Sequence, residues 1–244
     1  MKKLVLTIGA ALVVGGVAFA QGTIQWTAPA GNFTGQTNTT TLSFIQGSTP
    51  TGGGTIGNTT TTLGFYYELL YSTTAFNGSG IAQPNSTAAL FGGTWQDAGL
   101  GMTNNGNVGR IVPIGGAQNA AVQPAAMGAG GVGVGQTNYI MLVGWSANLG
   151  TSWSVVSNEL ATGSWMSVLG NAIGFFGESA TGYVVGNTGN PGVSPFISSG
   201  ADVNGQPIIG AGTQLFELLA VPEPTTLAMM GLGSLSLLIF RRRK

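Results

Sequence analysis

Cysteine and histidine are both absent from this chain, and only 6% of its 244 residues are charged. Without cysteine there is no disulfide and no thiol nucleophile, so the fold must rest on an apolar core. The 43% hydrophobic composition can supply one over about 200 residues. Without histidine there is no Ser-His or Cys-His nucleophile, no imidazole base and no histidine-ligated zinc or copper. Lysine occurs only at Lys2, Lys3 and Lys244, which removes Ser-Lys and Schiff-base chemistry from the middle of the chain. Between Gln21 and Val221 the sole cation is Arg110, set against Glu68, Asp97, Glu159, Glu178, Asp202 and Glu217, for a net charge of −5. Such a surface cannot neutralise a row of phosphates, and nucleic-acid binding is excluded. Neither a cofactor nor a metal is expected.

What charge there is collects at the two ends. Met1-Lys2-Lys3 precedes an apolar run from Leu4 to Val17, and Ala18-Phe19-Ala20 offers small residues at the −3 and −1 positions, so Ala18 and Ala20 define an expected signal-peptidase site. Residues 1–20 are expected to be a signal peptide and the mature chain to start at Gln21. At the other end Val221-Pro222-Glu223-Pro224 is followed by an apolar run from Thr225 to Phe240, then by Arg241-Arg242-Arg243-Lys244. As a helix the run would span about 24 Å against a hydrocarbon core of about 30 Å, with the cations snorkelling on the cytoplasmic side. Each proline fixes φ and biases its predecessor away from the α region, so the tetrapeptide is expected to be extended beside the membrane, as a processing enzyme's cleft requires.

This tail resembles the PEP-CTERM sorting signal of exported proteins in Gram-negative bacteria. The resemblance rests on Pro222-Glu223-Pro224, the apolar segment 225–240 and the basic tail Arg241, Arg242, Arg243 and Lys244. It covers only about the last 24 residues. It implies recognition by a membrane protease-transpeptidase, an exosortase, with transient anchoring in the inner membrane. Removal of the tail and delivery to the cell surface or to secreted exopolysaccharide would follow.

Residues 21–220 are expected to form one all-β domain, a β-sandwich of jelly-roll type, followed by the 221–244 signal with its transmembrane helix. From Leu63 to Tyr71 apolar residues fall on odd positions, which predicts a strand with Glu68 pointing outward. Tyr139 to Trp145 is apolar apart from Gly144, as expected of a strand covered on both faces. Leu42 and Phe44 alternate with Thr41 and Ser43. Thr23–Thr27, Ile111–Ile114, Trp153–Val156, Gly182–Val185 and Gln214–Ala220 are further expected strands, punctuated by Gly, Asn, Pro and Ser. Thr49–Thr62 and Gly115–Gly135 lack spaced apolar side chains and are expected as long loops, and Ser157–Leu160 as a helical turn. No fixed repeat supports a β-helix.

Two readings of function follow. In the first, the domain is a non-catalytic surface or matrix protein that binds exopolysaccharide, with Trp26 and Trp95 as candidate sugar-stacking rings and Trp145 in the core. In the second it is a secreted glycoside hydrolase using two carboxylates, for which Glu159 and Glu178 are the candidates. Asp202-Val203-Asn204-Gly205 opens like a calcium loop but lacks the later glutamate, and reads as an Asx turn.

Overall fold

The structure, a computed structural model, describes residues 24–25, 34–47, 56–59, 64–105, 107, 109–114, 121–122, 133, 135–186, 196 and 212–219. Along them run β1 (Ile24–Gln25), β2 (Thr34–Leu42), β3 (Ile56–Asn58), β4 (Phe65–Ala75), α1 (Thr87–Phe91), β5 (Trp95–Asn104), β6 (Ile111–Pro113), β7 (Ala121–Val122), β8 (Thr137–Ser146), α2 (Trp153–Thr162), α3 (Trp165–Leu169), β9 (Ile173–Glu178), β10 (Gly182–Val185) and β11 (Gly212–Leu219). Short 3-10 turns occupy Phe44–Gln46 and Ala147–Leu149.

Nine strands form one sheet in the order β3-β2-β11-β9-β8-β4-β5-β6, with β10 also on β8, while β1 and β7 pair separately. All pairs are antiparallel except β2 with β11, which run parallel from Thr34↔Gly212 onward. The sheet curls into a half-barrel. At its closing side Gly35 N–H donates to the Gly109 carbonyl and Gly109 N–H to the Thr59 carbonyl, both at 2.8 Å, so the turn after β5 reaches the β2–β3 side. Tyr67 crosses from β4 to Gly35, where any Cβ would run into the phenol oxygen.

The pleat of β4 sorts two cores. Phe65, Tyr67 and Leu69 face the inside of the curl with Leu100, Met102, Leu142 and Leu215. Leu70 faces the other side with Met141, Val143, Trp145 and Phe176, under Trp153, Val156, Leu160, Trp165 and Leu169 from α2 and α3. The expected two-faced burial of β8 is found, since every residue from Tyr139 to Ser146 is buried.

The expected sandwich is therefore corrected: the second layer is helical, not a second sheet. Trp153, Val156 and Leu160 lie at i, i+3 and i+7, one face of a helix, which the expected strand Trp153–Val156 misread as alternation. Gly163 ends this helix in the left-handed region, at φ 78°. The expected helical turn at Ser157–Leu160 is part of the same element. Within the two expected loops the structure places β3 and β7. Glu68, expected to point to solvent, is only 9% exposed, with Asp97, Leu100 and Gly101 of β5 beside it. Residues 1–20, Asp202 to Gly205 and the expected helix 225–240 lie outside the described residues. Among the described residues no helix is long and apolar enough to cross a membrane.

Candidate functional site

Glu178 stands where one side of β8 changes partner. β9 follows β8 along Val143 to Trp145 and β10 follows it along Thr137 to Ile140. Ser179 bridges the break, its N–H donating to the Leu142 carbonyl at 2.8 Å and its Oγ accepting from the Leu142 N–H at 2.9 Å. Because a side chain replaces the ladder here, the strand can kink, and a cleft of about 380 Å³ opens beside it. Phe44, Gln83, Asn85, Glu178, Gln214 and Phe216 line it. Gln214 and Phe216 arrive from β11, Phe44 from the turn after β2, and Gln83 and Asn85 from the segment leading into α1.

The cleft mixes apolar and polar groups and has Glu178 as its one ionisable lining residue. Burial pushes the Glu178 carboxyl up to about 8, against a smaller opposing pull from Gln83. At neutral pH the group is mostly a neutral acid, able both to donate and to accept. Its Oε2 is buried and has no hydrogen-bond partner. Glu68 behaves alike: burial first, then the charge of Asp97 and a hydrogen bond to it, raise its carboxyl to about 8. Register places Glu68 opposite Val143 and Val143 opposite Glu178, so both acids share the helix-covered face, two strand spacings apart, about 9.5 Å between Cα atoms.

The residues expected to act fall differently. Trp95 is the first residue of β5 and is buried with the helix-side core, so it cannot stack on a sugar. Trp26 lies outside the described residues, as do Ala18, Ala20, Pro222, Glu223, Pro224 and Arg241 to Lys244. Glu159 sits on α2 and is not among the residues lining the Glu178 cleft. The carboxyls that do meet are Glu68 and Asp97, whose shared hydrogen bond brings them closer than the roughly 5 Å minimum of a glycosidase pair. Gln83, Asn85, Gln214 and Phe216 had no local signature, because they converge from segments more than 100 residues apart. No group of three or more Asp or Glu residues suited to a metal ion occurs among the described residues.

At the opposite end of β11 the strand stops at Leu219, whose N–H and carbonyl are both held by the Gln46 side-chain amide at 3.1 and 2.6 Å. The tail begins at the next residue. The last described strand of the curled sheet is thus followed closely by the Pro-Glu-Pro tail with its basic end. Residues 220–244 match the family model of the PEP-CTERM protein-sorting motif, so the chain carries a PEP-CTERM signal, of the kind processed by an exosortase during export and membrane-associated sorting. No curated protein and no solved structure matches the chain.

Proposed function

We propose that this protein is a non-catalytic component of the cell surface or extracellular matrix. In this reading residues 225–240 hold it in the inner membrane until an exosortase removes the tail. It then associates with exopolysaccharide through the Glu178 cleft. The observation that carries the reading is the PEP-CTERM match at residues 220–244. The cleft supports the ligand class: side-chain amides, a neutral carboxyl and phenyl rings suit the hydroxyls and C–H faces of an uncharged sugar.

Hydrolysis is the weaker reading. It requires two carboxyls flanking the bond, yet Glu159 sits on α2 and does not line the cleft that holds Glu178. The test is co-sedimentation of the purified protein with exopolysaccharide, beside a reducing-sugar assay on the same samples. Gln83→Ala with Asn85→Ala should weaken co-sedimentation several-fold, with no sugar released by any form. Sugar release that disappears in Glu159→Gln/Glu178→Gln would establish the hydrolase instead.

A further inference from the structure

Five large apolar side chains are exposed among the described residues, and four of them fall in one short stretch: Val155 at 49%, Met166 at 43%, Val168 at 46% and Ile173 at 47%. Exposed apolar residues scattered singly need no explanation, but a group does. Contacts tie these four to one end of the sheet. Val155 reaches the Gly150 backbone, where its Cγ1 lies 3.6 Å from the site of a Cβ, and Asn148 Nδ2 donates to the Ile173 carbonyl at 2.8 Å. α3, which carries Met166 and Val168, leads through a turn closed by Ala172 N–H to the Leu169 carbonyl at 2.8 Å directly into Ile173. Ile173 is the register partner of Leu219, the last residue of β11. The stretch that carries the apolar group therefore runs up to the point where the sorting tail leaves the domain.

Chain length decides what lies opposite. Only residues 220 to 224 separate Leu219 from the apolar run at Thr225, and five extended residues reach at most about 18 Å. From Ala147 to Gly177 the only charged residue is Glu159, so little opposes contact with an anionic headgroup layer. We propose that Val155, Met166, Val168 and Ile173 form a bilayer-facing surface, on which the folded domain rests against the lipid interface while its tail is inserted. This rests on the proposed insertion of residues 225–240, and adds that the domain touches the membrane in a fixed orientation and does not hang from a free tether. Release of the tail would then free the domain from the lipid as well.

Because the chain has no cysteine, a single introduced thiol reports one position. Full-length Val168→Cys and, as a control, Thr74→Cys on an exposed stretch of β4 would each carry an environment-sensitive fluorophore and be reconstituted into liposomes of phosphatidylethanolamine and phosphatidylglycerol. The expected result is blue-shifted emission at 168, quenched by brominated lipid, with aqueous emission at 74. Adding Met166→Asp and Ile173→Asp should return the 168 signal to its aqueous value while the protein still floats with the liposomes. Aqueous emission at 168 in floating protein overturns the docking surface and leaves the anchor standing. Failure to float overturns both. A shift that grows with the number of chains per liposome and resists brominated lipid places a second copy on the patch, which also overturns the proposal.

Discussion

Glu68 and Glu178 hold a proton that an exposed glutamate sheds well below neutrality, because β5 closes over the first and the cleft walls over the second. Each loses its proton near the ordinary value of 4.5 when unfolded and near 8 when folded. Linkage follows with a definite sign. Below about 4.5 both states are protonated and the full stability is present, whereas between about 4.5 and 8 only the unfolded chain ionises, so stability falls by about 1.4 kcal/mol per pH unit for each group. Solvent screening reduces this for Glu68, whose neighbour Asp97 is exposed. Thermal melts from about pH 4 to 9 should therefore show a midpoint that drops steadily, levelling above about 8, and Glu68→Gln/Glu178→Gln should flatten the profile. A midpoint that rises with pH over this range would contradict the burial of both acids. The outward Glu68 expected from alternation shows the limit of a period-two reading, which separates the two faces of a strand but not whether the second is covered.

Among the elements, β8 and β10 were readable from composition. β8 is apolar from Tyr139 to Trp145 apart from Gly144, and β10 occupies Gly182 to Val185 as expected. β5 and β9 were not. Gly99 and Gly101 interrupt the first and Gly174 and Gly177 the second: Gly99 has a positive φ of 68°, and the other three sit close against neighbouring atoms. A Cβ on Gly177 would strike the Gln214 carbonyl of β11, and one on Gly101 would sit 3.2 Å from Glu68 Oε2. Close approach of neighbouring strands thus erased the alternation that would have revealed them. The cleft was equally illegible, since its lining is assembled by the curl. Gln46 is a device of the same kind, a side chain acting as one more rung of sheet at the end of β11. Gln46→Ala removes two hydrogen bonds and should cost about 1 to 3 kcal/mol locally. Hydrogen exchange should quicken at Leu219 while β8 keeps its protection; equal loss across both strands would mean that Gln46 supports the whole fold.

For the whole molecule, sorting depends on what the tail presents, and it presents it immediately after a strand. Replacing Pro222-Glu223-Pro224 by alanines lets helix extend through the segment, so an immunoblot should show full-length, membrane-held protein where the natural chain is shortened. Unchanged shortening would remove the exosortase from the scheme. The position of β11 has a kinetic side. Among the described residues β2 and β3 pair with the other strands through β11, across a separation in the chain from Thr34 to Gly212, with the Gly35–Gly109 hydrogen bond as a second tie. Contacts that distant form late, after a large loop-closure entropy has been met. The β2–β11 and β9–β11 pairs cannot form until nearly the last residue before the tail has been made. A chain still being made therefore lacks the strand that completes the sheet, an order of events compatible with the export that its sorting signal implies.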